Sequence, residues 1–222
     1  MRDYDGRTAQ ERVAERRRRL IDSGYTLFGE VGYAGTSIRA VLRHAELRDR
    51  YFAESFADLD ELLAQVLDQI FDDEVRLCEA AVESADDPAG ASRAMISALV
   101  TSLEADPRRA RIKLREAISA GPVVYASRDR GLRRLATLVA SLLPAPVGGG
   151  PDPQLVALGL VAAANELLTN LFYGNAPGNA QAMTRDDVVE IAVFMFQGAA
   201  DLYSRLSPAA ADTAHADEPR TS

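Results

Sequence analysis

The stretch from His44 to Phe56, HAELRDRYFAESF, sets Arg48 and Arg50 beside Tyr51, Phe52 and Phe56 in a chain whose formal net charge is -8. Guanidinium groups at that spacing suit two kinds of chemistry. They grip phosphate oxygens through charge-assisted, bidentate hydrogen bonds, and they read guanine through its O6 and N7 atoms. Upstream, Arg39 and Arg43 stand four residues apart, so on a helix they share one side and would follow a nucleic-acid backbone. Thr36 or Ser37 is placed to cap the helix that carries them. A capped helix N-terminus offers free N–H groups and a positive dipole end to a phosphate. With Asp49, Tyr51 and Ser55 as further polar groups, the candidate DNA-binding set is Thr36, Ser37, Arg39, Arg43, Arg48, Asp49, Arg50, Tyr51 and Ser55. Phe52 and Phe56 read as core rather than as base-stacking groups.

Little else in the chain points to chemistry. One cysteine, Cys78, excludes an internal disulfide framework and fits a reducing cytoplasm. With two histidines, His44 and His215, it cannot assemble a nitrogen–sulfur metal cluster. There is no Ser/His/Asp or Cys/His grouping and no dense carboxylate cluster, so an enzyme, a metal and a cofactor are not expected. The glycines at 148–150 sit between prolines without the spacing of a nucleotide fingerprint and read as a linker. The longest uninterrupted apolar stretches, such as Leu155 to Ala164, fall short of the roughly 18 to 20 residues of a membrane helix. The charged start from Arg2 onward holds no signal-peptide core, so the expected location is the cytoplasm.

Charge is unevenly spread. Residues 1–57 hold 11 arginines against nine acids, which leaves the acidity to the remainder. Such asymmetry suggests a nucleic-acid-facing head on an acidic body. The elements that would position the arginines are helical. Leu20, Ile21, Gly24, Leu27, Phe28 and Val31 form one apolar stripe ended by Gly32, and Ile38, Val41, Leu42 and Ala45 form a second. A short segment at 48–55 follows, spaced to bury Leu47, Phe52 and Phe56 while Arg48, Asp49, Arg50 and Ala53 face away. The run Arg16 to Arg19 falls at the start of the first stripe, as a solvated face or as an arm reaching phosphates. These three short helices make a helix-turn-helix candidate.

A further helix is expected from near Asp58 to Val82, then others at about 88–105, 108–119, 122–143, 153–174 and 185–206. No window alternates with period two, so the expected fold is all-α with about nine helices. The domains read as an arm and helix-turn-helix head at 1–57, a helical body at 58–206 and a disordered tail at 207–222.

Residues 20–67 resemble the DNA-binding domain of the tetracycline-repressor (TetR) family. The resemblance rests on Leu27-Phe28, Gly32-Tyr33, Thr36-Ser37, Ile38, Ala45, Leu47, Phe56 and Leu62-Leu63 at unbroken spacing. It implies a homodimeric repressor that binds a palindromic operator in double-stranded DNA and is released by a small-molecule effector. This sequence departs from the family pattern at four places. Glu46 stands where the turn usually has glycine, Arg48 where the recognition helix usually starts with Ser or Thr, Ala53 for a phosphate-binding tyrosine, and Leu59 for a lysine. Arg48 and Arg50 are the obvious compensation, and Asp49 is placed to take over the cap.

The resemblance also implies an effector cavity in the body. Inward helix faces would supply its wall from Val66, Ile70, Phe71, Met95, Leu99, Leu114, Tyr125, Asn165, Leu168 and Phe172. For each of these, packed core is the commoner reading of such a residue. Asn165 is the informative one, because an amide inside an apolar helix must find a partner. A mainly apolar wall suits a hydrophobic ligand. The last two helices, about 153–206, are more apolar than one subunit needs and would form a four-helix dimer interface. The rival reading is a helical small-molecule-binding or protein-interaction dimer whose head has lost specific DNA binding.

Overall fold

Thr8 starts the first helix, α1 (Ala9–Val31), with a capping box: its hydroxyl accepts the Glu11 N–H at 3.1 Å while the Glu11 carboxylate accepts the Thr8 N–H at 2.6 Å. The computed structural model describes residues 8–145, 150–174 and 182–206. The tail from 207, residues 1–7 and most of the glycine loop lie outside the described residues. Helix α1 ends at Gly32, whose φ of 82° a side chain would resist. Then come α2 (Ile38–His44), capped by Ser37, the single-turn α3 (Arg50–Ala53) and the long α4 (Leu59–Glu83). Asp58 opens α4 by accepting the Glu61 N–H at 2.8 Å.

Four of the later helices begin at proline: α5 (Pro88–Ala105), α6 (Pro107–Arg111), α8 (Pro122–Leu142) and α9 (Pro153–Thr169). Proline there loses no needed hydrogen bond and arrives with helical φ, which is why these starts are legible in the sequence. A π-helical turn, Ile112–Glu116, joins α6 to α7 (Ala117–Ser119), and a second, Asn170–Gly174, extends α9. The last helix, α10 (Arg185–Arg205), has a Thr184/Asp187 capping box. With α6, the π turn and α7 taken as one continuous helix, the described residues make nine helices and no strand.

The π turn was not legible. It buries Ile112, Lys113 and Leu114 in succession, a wider arc than the stripe of a surface helix turning about 100° per residue. The extra residue in the turn brings all three to the core side.

The chain divides into two compact units, Met1–Asp73 with Ser102–Gly131, and Glu74–Thr101 with Leu132–Ser222. The first therefore holds α1–α3, the start of α4 and the whole segment from α6 to the start of α8. Its core includes Leu20, Phe28, Val41, Phe52, Phe56, Leu63 and Phe71. Glycines set two close approaches: a Cβ on Gly29 would stand 2.4 Å from Cβ of Arg108, and one on Gly131 2.2 Å from the Phe71 ring. The second unit is built on Cys78, Val100, Ala136, Ala157, Val161, Leu168, Val193 and Phe196.

One expectation needs correcting here. Uninterrupted apolar runs are short, but the continuous helix Pro153–Gly174 is 22 residues long and apolar enough to cross a membrane by length and composition. Glu166 is its only charged residue, and runs counted to the next polar residue miss this.

Candidate nucleic-acid interface

The turn between α2 and α3 is built around Glu46, the one non-glycine residue with positive φ among the described residues, at 53°. That conformation costs a side-chain-bearing residue on the order of 1 kcal/mol. Three contacts hold it. The Leu47 N–H donates to the Leu42 carbonyl at 2.9 Å, the Arg19 guanidinium donates to the Ala45 carbonyl, and the same guanidinium lies 3.4 Å from the Glu46 carboxylate.

Arg19 belongs to the run Arg16–Arg19, and the structure corrects the reading of that run. Because α1 begins at Ala9, the four arginines lie in mid-helix rather than at its start or in an arm. Three of them face the recognition segment. Arg16 stacks on the Tyr51 ring at 4.4 Å and reaches Glu54 at 3.4 Å. Arg17 lies over Phe56 at 4.3 Å and donates to the Ser55 carbonyl and to Gln65, both at 2.7 Å. Arg18 points outward to Glu15. Cation–π stacking and charge-assisted bonds on a partly buried helix face locate α3, which as a single turn has almost no stability of its own.

Thus held, α2 and α3 leave Arg39, Arg43, Arg48, Asp49 and Arg50 exposed. Phe52 and Phe56 are buried and pack together at 5.9 Å between ring centroids, as expected of core. Ser37 is exposed and accepts the Ala40 N–H at 3.2 Å, so it caps α2. Thr36 is a correction: it is buried, and its hydroxyl donates to the Gly32 carbonyl at 2.7 Å, closing the turn after α1 instead of facing a phosphate. Asp49 stands at the N-cap position of α3 but makes no side-chain capping bond, because its backbone is already helical. Tyr51 is half-buried and accepts from Arg50 at 2.6 Å; that hydrogen bond lowers the phenol pKa and raises that of the guanidinium. Ser55 is half-buried and offers its carbonyl to Arg17. Ala53 is exposed and Leu59 half-buried.

The segment after α5 closes on the other end of α1. Arg111 donates to the Glu30 carbonyl at 2.8 Å and pairs with Glu116 at 3.0 Å, and Glu116 accepts the Tyr33 N–H at 2.8 Å. The Tyr33 hydroxyl donates to Asp60, which pushes the phenol up to about 12. Tyr25 donates to Asp106 at 2.6 Å; burial, with that bond, pushes it up to about 12 as well. Hydrogen bonds from Arg108 hold Asp106 down at about 2. None of these partners is within 20 residues of the other except Arg108 with Asp106 and Arg111 with Glu116. No local pattern announces such pairs.

Of the expected effector residues, Val66, Ile70 and Leu114 are buried in the first unit. Met95, Leu99, Asn165 and Leu168 are buried in the second, where Phe172 is half-buried. Tyr125 is a correction. It is 64% exposed, because the inward stripe of α8 runs through Val124, Ser127 and Gly131 and leaves Tyr125 one residue off it. Ser127, not singled out in the sequence, is fully buried and donates to Asp68 at 2.6 Å.

No protein-family model and no curated protein matches the chain by sequence. Solved structures do match by fold. FadR of Bacillus subtilis, a transcriptional regulator in complex with stearoyl-CoA, superposes with a TM-score of 0.64 at 13% identity over 82% of this chain and 97% of that one. EbrR, a multidrug binding protein complexed with imidazole, does so at 0.65 and 22% identity over 81% and 94%. A protein of Syntrophomonas wolfei assigned to the TetR family of transcriptional regulators reaches 0.67 at 16% identity over 85% and 96%. An all-helical chain with a helix-turn-helix head that matches such proteins over nearly their whole length has the fold of the TetR family of transcriptional regulators.

Proposed function

We propose that this protein is a ligand-responsive, DNA-binding transcriptional regulator of the TetR family, acting in the cytoplasm as a homodimeric repressor. The observation that carries the reading is the division of labour among the arginines. Arg16 and Arg17 hold α3 and Arg19 the turn before it, while Arg39, Arg43, Arg48 and Arg50 stand exposed on α2, the turn and α3. A helix pinned from behind with exposed guanidinium groups on its outer side suits a major groove. In this reading Arg48 and Arg50 replace the phosphate contacts that Ala53 and Leu59 do not offer. Ser37, Asp49, Tyr51 and Ser55 flank the same surface.

Two helices in the second unit support the dimer. The outward faces of α9 and α10 carry Leu155, Phe194 and Leu202, exposed by 62%, 77% and 56%. Gly159 and Gly198 on those faces have open space where a Cβ would stand, which suits close approach of a second copy. The same surface accounts for the membrane-like composition of Pro153–Gly174 without a membrane. The effector site would draw on Met95, Leu99, Asn165, Leu168 and Phe172 of the second unit. The stearoyl-CoA and imidazole bound by the two neighbours fit a small-molecule effector. Helix α4 runs unbroken from Leu59 to Glu83, from the first unit into the second, and would carry the effector's influence toward the head.

Selection of bound sequences from a random DNA pool tests the proposal. A palindromic consensus is expected, with affinity falling by about 0.9 log units per log unit of salt for each phosphate neutralised. Absence of any enriched sequence at low salt would instead favour the helical dimer without DNA binding.

A further inference from the structure

We infer that Asn165 is the polar anchor of the effector site, and that the effector is an apolar molecule carrying a hydrogen-bond donor. The inference rests on the effector reading above and names the chemistry of that site. On α9 the buried residues Ala157, Val161, Asn165 and Leu168 form one inward stripe at helical spacing. Asn165 is the only polar member, and it is 6% exposed. Its Oδ1 is a buried acceptor with no hydrogen-bond partner, the one such side-chain atom among the described residues.

Buried polar atoms in folded proteins are almost always paired, and a lone one is more costly than a hydrocarbon of the same size. The other buried residues of the stripe are aliphatic, and the buried residues Met95, Ile96, Leu99 and Val100 on α5 and Val189 and Val193 on α10 in the same unit are apolar. None of these side chains carries a donor. Thr169, one turn on, spends its hydroxyl on the Asn165 main-chain carbonyl at 2.9 Å. A second copy of the chain is badly placed to supply the donor, since the exposed face of α9, with Leu155, Gly159, Ala162 and Glu166, lies opposite the stripe. What remains is a donor brought by a bound molecule: a hydroxyl, an amine or an amide N–H on an apolar frame. An apolar surround with one fixed acceptor discriminates strongly, because a ligand that lacks the donor leaves Oδ1 unpaired.

The test uses matched probes in which the hydroxyl hydrogen is replaced by a methyl group: 1-naphthol against 1-methoxynaphthalene, and 1-decanol against decyl methyl ether. Affinities for the full-length protein are measured by calorimetry and by the shift in melting temperature, with operator binding by the ligand-free protein recorded in the same preparation. In at least one pair the alcohol is expected to bind about tenfold more tightly than the ether. Asn165→Leu should erase the difference, and Asn165→Asp, which keeps the acceptor, should retain it. Equal affinity of alcohol and ether, as when a buried water already satisfies Oδ1, would overturn the assignment. So would failure of every probe to bind, or a preference that survives in Asn165→Leu. The comparison within the wild-type protein stands even where a variant does not fold. If operator binding persists while the probes are not discriminated, the anchor alone falls; if operator binding is absent, the regulator reading falls with it.

Discussion

Arg19 and Glu46 face each other across the turn of the helix-turn-helix, 3.4 Å apart, with the Arg19 guanidinium also donating to the carbonyl of Ala45. An ion pair with one partner as exposed as Glu46 contributes little. The bond to the Ala45 carbonyl matters more, because it fastens the backbone just where φ turns positive. Relief of that conformation should outweigh the lost pair: Glu46→Gly is expected to raise the unfolding free energy by about 0.5–1 kcal/mol. Arg19→Ala should lower it by about 1 kcal/mol. Urea titration followed by circular dichroism measures both, and a destabilised Glu46→Gly variant would refute the account of the turn.

Arg48 and Arg50 are exposed and outside the core, so their loss should leave folding intact. The double substitution to alanine is expected to weaken operator binding by at least tenfold, with the melting temperature unchanged within about 1 °C. If one contacts phosphate, the salt slope should fall by about 0.9; if both read guanine, the slope should hold while the selected consensus changes.

Acid should loosen the contact between α1 and α6. The Arg108 and Tyr25 hydrogen bonds keep the Asp106 carboxyl at about 2 in the folded chain, below its ordinary 3.8. A depressed carboxylate stabilises fully above its unfolded value, and that contribution disappears as pH falls through the folded one. The wild type is therefore expected to lose stability between about pH 4 and pH 2 more steeply than Asp106→Asn, which lacks this titration. Melting curves across that range of the two proteins decide it; identical slopes would dissociate Asp106 from the effect.

The apolar outer faces of α9 and α10 should behave as an interface. Phe194, 77% exposed, is the largest group on them. Phe194→Asp would place two like charges near a symmetry axis in water-excluded surroundings, and should raise the dimer dissociation constant by at least 100-fold. Analytical ultracentrifugation reads the outcome. A protein that sediments as a monomer before substitution would remove the dimer from the proposal.

Much of this was legible in the residues. The helix starts at prolines 88, 107, 122 and 153, the cap at Ser37, the burial of Phe52 and Phe56 and the exposure of Arg48 and Arg50 all follow from rules acting over one or two turns. So did the left-handed turn at Glu46, through the family pattern in which glycine holds that place. Three readings failed, two over a single turn of chain and one because contacts between distant segments are not written in local pattern. Thr36 turned inward to Gly32, Tyr125 fell one position off the buried stripe of α8, and the Arg16–Arg19 run proved to brace α3. What the chain determined by itself was a periodicity of apolar side chains strong enough to specify helices and their inward faces. What only the tertiary structure decided was which polar groups meet: Arg19 with the α2–α3 turn, Glu116 with Tyr33 and Tyr25 with Asp106, while Oδ1 of Asn165 has no partner among the described residues. Hydrophobic burial is non-directional and follows from local pattern, whereas a hydrogen bond needs two groups brought within about 3 Å by distant parts of the chain.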